Sequence, residues 1–331
     1  MYNESLKMAF IESKKRSITT AKLIVQIFNS FEPYENNWGE DLSLQPTEIL
    51  QPVIDELSGV RSKSTELILI ILKEYVKWLM HNNHPYSKGI YGVKIDSIEK
   101  VRNQMVSSPA HLKEIMKKVN AGWNDKDGIP VKKGFDDPEA ETVDVIYRVF
   151  LWMGFSGLYD DEAVKVKVSD VDLDNLCINY GGKIYKIYQE AKLDFEKACN
   201  LKRFNYFHKN YTTVRERKDG DLLMRSMRSE VPDLMVIRPM INRKLNPKKD
   251  GDKSKLKYKL SYNKIYLSGA FYRMFERERM GAKVEFSELV AKDMSDSDYT
   301  LSSTRTLNTI ANKLEREYIA DYERWKCAFD V

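Results

Sequence analysis

FLWMGFSGLYDDEAVKVKVSDVDLDNLCI, residues 150–178, contains the change from helical to extended periodicity on which the predicted fold depends. Up to Gly157 the apolar side chains surround the helix axis on nearly all sides, which is typical of a helix at the centre of a domain. The valines of residues 164–168 then alternate with lysines, as in an extended chain. Residues 178–187, INYGGKIYKI, have Gly-Gly at their centre, which predicts a hairpin. A central helix followed by a small antiparallel sheet is therefore expected.

The chain on both sides of this region carries helical signals. Residues 17–31 open with Ser and Thr, which are favoured helix caps, and place Leu23, Ile27 and Phe31 at four-residue spacing. Residues 1–85 as a whole predict a small helical bundle. Further helices are predicted near residues 111–119, 139–158, 193–201, 268–280 and 303–329. The predicted fold class is mainly α with a small antiparallel β-sheet.

Length and composition limit the class of protein. The chain has 331 residues, of which 42% are apolar, so two domains of about 150 residues each are expected. No run approaches the ~20 apolar residues that span a bilayer, and the N-terminal residues lack the basic-then-apolar order of a signal peptide. Three cysteines form no CxxC pair, which favours a reducing compartment. A soluble cytoplasmic protein is therefore expected.

Basic residues are concentrated in one segment. The net charge is only +5, but residues 200–264 contain 18 Lys or Arg against 7 Asp or Glu, a surplus of 11. The rest of the chain is slightly acidic. Such a distribution is typical of a surface that binds a polyanion, although a run of charge is also compatible with a solvated loop.

Motifs of several enzyme classes are missing from the sequence. There is no GxxxxGK[ST] and no GxGxxG, so neither common phosphate-binding loop is present. The run Asp170, Asp172, Asp174 resembles the start of a calcium loop but lacks its glycine and its final glutamate. Four histidines show no metal-ligand spacing. No cofactor and no metal are expected.

The order of these elements and residues 150–178 resemble the tyrosine recombinases, also called phage integrases. In that family a buried helix ends in Gly-Leu-Arg and is followed by a turn and the first strand. Residues 267–281, LSGAFYRMFERERMG, are similar to the helix of the second catalytic box, and SITTAKLIVQIF to the first helix of the core-binding module. The resemblance implies a two-domain, recombinase-like fold: residues 1–85 a helical core-binding (SAM-like) domain, 86–106 a linker, and 107–331 a catalytic-like domain.

The same resemblance implies that most of the catalytic set is replaced. The family grips the scissile phosphate with two arginines and a lysine, and a tyrosine attacks phosphorus. The first-box arginine position is Tyr159, and the second-box histidine and arginine positions are Ile265 and Ser268. Lys183 matches the hairpin lysine. We therefore expect no catalytic residue, and Arg148, Arg238 and Arg273 are the candidates for substitute arginines.

Tyr318 and Tyr322 both lie in the last predicted helix, so the nucleophile position is ambiguous. They share an apolar stripe with Leu314 and Trp325 at helical spacing, so packing explains them without any chemistry. The stripe also fits self-association through this helix.

Two main functions remain open at this stage, beside a weaker third, a structural accessory protein that binds DNA without sequence preference. The first is a sequence-specific double-stranded DNA-binding protein without recombinase activity, and the family likeness extends to prophage repressors that maintain lysogeny in a bacterial host. The second is a divergent, active integrase or excision enzyme that uses Tyr322 or Tyr318. The predicted partner is double-stranded DNA, at the nucleoid, with no membrane. The candidate DNA-binding residues are Lys14, Lys15, Arg16, Lys22, Lys183, Arg238, Arg243, Lys244, Lys248, Lys249, Lys255 and Lys257.

Overall fold

The structure is a computed structural model, described for residues 1–14, 17–58, 62–95, 98–121, 141–142, 144–207, 212–226, 228–245, 260–296 and 304–331. The chain divides into two compact units. Unit 1 comprises Met1–Val101 and Leu289–Val331, and unit 2 comprises Arg102–Glu288. The sequence-predicted domain bounds at residues 85 and 107 stay a prediction.

Unit 1 contains a helical bundle with an apolar core. Its helices in chain order are α1 (Glu4–Ser13), α2 (Ile18–Trp38), α3 (Thr47–Leu57), α4 (Ser62–His81), α5 (Gly89–Gly92) and α6 (Ile98–Gln104), the last of which runs across the boundary into unit 2. Ser17 caps α2, because its hydroxyl accepts a hydrogen bond from the Thr20 amide. Gly39, with φ of +72°, ends the same helix. Phe10, Phe28 and Tyr75 pack together in the core with ring centroids 5.1–6.1 Å apart.

Unit 2 is built around one buried helix. After α7 (Pro109–Ala121) and strand β1 (Glu141–Thr142), α8 (Asp144–Ser156) is buried along nearly its whole length, as its all-round apolar sequence predicts. It is followed by the helical turn α9 (Asp160–Ala163), strands β2 (Val171–Asp172), β3 (Cys177–Tyr180) and β4 (Lys183–Lys186), and α10 (Lys192–Asn200). Gly181 and Gly182, both with positive φ, form the β3–β4 turn.

The remaining elements complete both units. Strands β5 (Arg203–Phe207) and β6 (Thr212–Glu216) form an antiparallel hairpin, and β1 pairs with β5 in parallel. Helix α11 (Leu234–Leu245) precedes α12 (Tyr262–Arg279), which lies directly against α8. There a Cβ added at Gly269 would lie 1.9 Å from the Phe155 carbonyl oxygen. Helix α13 (Ser287–Ser295) runs into unit 1, and the last helix, α14 (Thr304–Phe329), belongs to unit 1.

The predicted fold class is confirmed: the protein is mainly helical with small antiparallel sheets. Two local features differ from the expectations. Residues 164–168 do not form a strand: they contain a turn, one isolated bridge at Lys167 and the start of a 3-10 helix at Val168. The hairpin β5–β6 was not predicted. Residues 86–106, predicted as a linker, contain α5 and α6, and their role as a linker stays a prediction. None of the helices that the structure describes is long and apolar enough to cross a bilayer.

Candidate nucleic-acid interface

The end of α8 is held by an arginine from α12. The Arg273 guanidinium donates through Nη1 to the Phe155 carbonyl. Gly157 has φ of +111°, and a Cβ at this position would lie 2.8 Å from Arg273 Nη2. Glycine is therefore required here both by the backbone and by the space that the guanidinium fills.

Tyr159, at the position that the resemblance assigns to the first arginine, packs against another tyrosine. Its ring centroid lies 4.4 Å from that of Tyr266, with 30° between the planes. Burial raises the pKa of Tyr266, an effect opposed by a hydrogen bond with Tyr159 and by the charge of Arg273. On the preceding turn Tyr262 donates to the Leu158 carbonyl at 2.9 Å. An aromatic pair thus occupies the place expected for a phosphate-binding guanidinium.

The two positions that the resemblance assigns to the second catalytic box are buried in the core of unit 2. Ile265 and Ser268 are both fully buried on α12. The Ser268 hydroxyl accepts a hydrogen bond from the Val106 amide at 3.0 Å and donates to the Lys264 carbonyl at 2.7 Å. Neither side chain can reach a phosphate at the surface.

Lys183, the residue that matches the catalytic hairpin lysine, is paired with a carboxylate. Its Nζ lies 3.4 Å from Glu288 Oε1, and both side chains are well exposed. Burial, followed by the charges of Glu162 and Glu288, raises the pKa of nearby Tyr185 to about 12. Glu288 is thus the carboxylate partner of Lys183, at a position where a scissile phosphate would need positive charge.

Tyr318 and Tyr322 are buried on one face of α14 with Leu314, Trp325 and Ala328. The rings of Tyr322 and Trp325 stack at 6.1 Å. This is the packing arrangement that their spacing predicts. Both tyrosines lie in unit 1, whereas Tyr159, Lys183, Ile265 and Ser268 lie in unit 2, so no single unit contains the whole family set.

Two of the candidate substitute arginines form ion pairs with aspartates. Arg148 Nε donates to Asp194 Oδ1 at 2.7 Å, and the other oxygen of Asp194 accepts from Trp152 Nε1. Arg238 Nε donates to Asp160 at 2.5 Å from an exposed position on α11. Arg148 is therefore structural, whereas Arg238 keeps an exposed guanidinium.

Arg217 lies in the basic segment, residues 200–264, and has a structural role that the sequence did not predict. It is 6% exposed, and its guanidinium donates to the carbonyls of Ala198, Leu201 and Leu223 at 2.6–3.0 Å. Burial lowers its pKa to about 10. Nothing in its sequence context distinguishes it from Arg215, two residues earlier, which is exposed on β6.

The predicted DNA-binding residues are described only in part. Lys14 lies 3.7 Å from Glu74, and Lys22 is exposed on α2. Arg243 and Lys244 lie in α11, but their side chains are outside the description, as are Lys15, Arg16, Lys248, Lys249, Lys255 and Lys257 altogether. All of these assignments stay predictions. Among the residues described, no group of His, Cys, Asp and Glu could hold a metal ion.

Known proteins resemble parts of this architecture. Residues 1–81 match the family model described as "MrpR, N-terminal core-binding domain". A search of curated proteins found no match. Among solved structures, a crystal structure of XerA recombinase is 13% identical and is matched over 85% of this chain and 86% of that chain, with a TM-score of 0.34. The N-terminal bundle of unit 1 is thus similar to a core-binding domain.

Proposed function

We propose that this protein binds double-stranded DNA sequence-specifically on a recombinase-like scaffold and does not recombine it. The observation that carries the proposal is the pair Lys183–Glu288. It pairs the lysine that matches the family's hairpin lysine with a carboxylate.

The chemistry of strand cleavage argues against activity. Removing one donor that stabilises transition-state charge costs about 10²–10³ in rate. Here the positions expected for two arginines and a histidine hold Tyr159, Ser268 and Ile265. Such groups act together in catalysis. Lys183 alone is therefore not expected to sustain strand cleavage.

DNA binding is supported by two independent features. The first is the match of residues 1–81 to a core-binding domain model. The second is the surplus of 11 positive charges in residues 200–264, which suits a phosphate backbone and makes affinity fall steeply with salt. Arg217 does not contribute to this basic surface, because its side chain is buried.

The biological role that we propose is a phage transcriptional repressor that maintains lysogeny in the bacterial host. It rests on the sequence likeness to prophage repressors with an integrase-like fold. The test is deletion of the gene in a lysogen, in which prophage transcripts should rise. Unchanged prophage transcription would exclude this role.

A divergent recombinase is the second candidate, and Arg273 is the observation that favours it. Its guanidinium lies against Gly157, next to the first-box position, so it could stand in for one arginine. It would still need a second phosphate-binding group and Tyr318 or Tyr322 as nucleophile.

One experiment separates the two candidates. Full-length protein is incubated with fragments of the parent genome, and each complex is run on a native gel and again after SDS. We expect sequence-selective complexes that SDS dissolves. Complexes that survive SDS and disappear in the Tyr318→Phe, Tyr322→Phe variant would establish the recombinase instead.

A further inference from the structure

Strand β6 lies at the edge of its sheet, in which the strand order is β1-β5-β6. On one side it pairs with β5 along its whole length, in a continuous antiparallel register. Among the residues that the structure describes, no strand pairs with the other side of β6. The backbone groups along such an edge are a template on which another strand can add.

The register shows which backbone groups of β6 face this edge. The Arg217 amide donates to the Lys202 carbonyl at 2.7 Å, so these two residues occupy a hydrogen-bonded position of the β5–β6 ladder. In an antiparallel ladder such positions alternate with positions whose N–H and C=O groups point away from the partner strand. Val214 and Glu216 occupy these alternate positions. Their backbone donors and acceptors therefore face away from β5.

The side chains of β6 suit pairing with a second copy of the same strand. Val214 is the middle residue of β6 and is 38% exposed. An antiparallel copy centred there pairs all five residues and places two Val214 side chains next to each other. Arg215 then lies opposite Thr213 of the second copy. Glu216 lies opposite Thr212 of that copy. Because the centre is apolar and no like charges are directly opposite, this register favours a stable ladder.

We propose that two copies of this chain associate by pairing their β6 strands antiparallel about a twofold axis next to Val214. The edge is complementary to itself, as a twofold interface requires. The two three-stranded sheets then form one continuous sheet of six strands. Such a dimer carries two N-terminal bundles, which fits a DNA site made of two half-sites. The association itself needs no DNA, so it stands apart from the proposed function.

The test measures the dimer dissociation constant of the full-length protein without DNA, by sedimentation velocity over a concentration series. Val214→Pro removes the outward N–H and leaves the bonds to β5 in place, because an edge strand tolerates proline where its N–H faces outward. Two hydrogen bonds are lost per dimer, so the dissociation constant should rise by roughly 5- to 100-fold. Val214→Thr keeps the N–H and the branched shape. This matched control should change the dissociation constant by less than about threefold.

A cross-linking variant keeps the test decisive if proline disturbs the hairpin. Residues paired in this way have Cα atoms about 5.5 Å apart, within the range of a disulfide. Val214→Cys should therefore form a disulfide-linked dimer on mild oxidation. Ile184→Cys, at a position of β4 that is 76% exposed, should form no more than the background that wild-type protein sets.

Three results would overturn the inference. The first is wild-type protein that stays monomeric throughout the concentration series, which would leave the edge to another segment of this chain or to a different protein. The second is Val214→Pro that folds and dimerises as wild type does. The third is Val214→Cys that cross-links no more than Ile184→Cys. An intact dimer that binds no duplex at low salt would instead overturn the proposed function alone.

Discussion

Lys7 and Glu35 form a fully buried ion pair in which Nζ lies 2.5 and 2.6 Å from the two carboxylate oxygens. The pair fastens α1 to α2. One oxygen of Glu35 also accepts a hydrogen bond from the Leu42 amide at 2.9 Å. Burial raises the pKa of Glu35, and the charge of Lys7 opposes this rise. A buried carboxylate is tolerated here because the Lys7 ammonium compensates its charge and hydrogen-bonds to it.

Lys7→Met should destabilise the protein by about 3–5 kcal/mol, because it leaves Glu35 buried without its countercharge. The folded state will then favour protonated Glu35, so stability should fall as pH rises above about 4.5. Urea unfolding at several pH values measures both effects. The double variant Lys7→Met, Glu35→Leu should recover most of the loss. A single variant within 1 kcal/mol of wild type would contradict this account.

Arg217 and Arg215 should respond in opposite ways to substitution by alanine. Arg217→Ala leaves three buried carbonyls without their charged donor, so a loss of about 3 kcal/mol or more in unfolding free energy is expected. Arg215→Ala, at an exposed position, should change stability by less than about 0.5 kcal/mol. If Arg215 contacts phosphate, its loss should also reduce the salt slope of DNA binding by about one. Equal stability of the two variants would show that Arg217 does not organise the segment.

The helices were largely predictable from the sequence, because they depend on local periodicity and caps. Residues 17–31, predicted as helical from their capping Ser and the four-residue spacing of Leu23, Ile27 and Phe31, lie in α2. Pro33 did not act as the helix end that a proline usually marks. Helix α2 continues through it to Trp38, and Pro33 lies on the exposed side of the helix. The role of Arg217 was not predictable, because it depends on which carbonyls the fold brings around one side chain. The same holds for the pairing of Lys183 with Glu288, which are 105 residues apart.

The contact between α8 and α12 leaves no room for a methyl group at Gly269. An added Cβ would lie 1.9 Å from the Phe155 carbonyl oxygen, so Gly269→Ala forces the two helices apart. We expect a loss of at least about 2 kcal/mol. Arg277→Ala, at an exposed position on the same helix, is the control. Thermal unfolding checks both, and a Gly269→Ala variant as stable as the control would exclude this close packing.

Lys100 should make stability depend on alkaline pH. Its side chain is 1% exposed and donates to the Thr65 hydroxyl. Burial lowers its pKa from 10.5 to about 8, while Asp55 and Asp321 oppose the shift. Between these values the unfolded chain binds the proton and the folded chain does not. Stability should therefore rise with pH, by at most about 1.4 kcal/mol per unit.

Urea unfolding from pH 8 to about 9.5 measures this rise before tyrosines ionise in the unfolded chain near pH 10. Lys100→Met removes the titrating group, so its stability should lack the rise. The same slope in both proteins would assign the effect to another group.

The hydrogen bonds of Ser268 make a larger or charged side chain at this position costly. Its hydroxyl joins the Val106 amide to α12 in a fully buried place. An arginine at this position would have to displace that bond and bury its own charge, which a protein interior opposes strongly. A charged side chain at residue 268 therefore conflicts with the packing of unit 2, and this buried part of α12 tolerates sequence change less readily than its exposed face does.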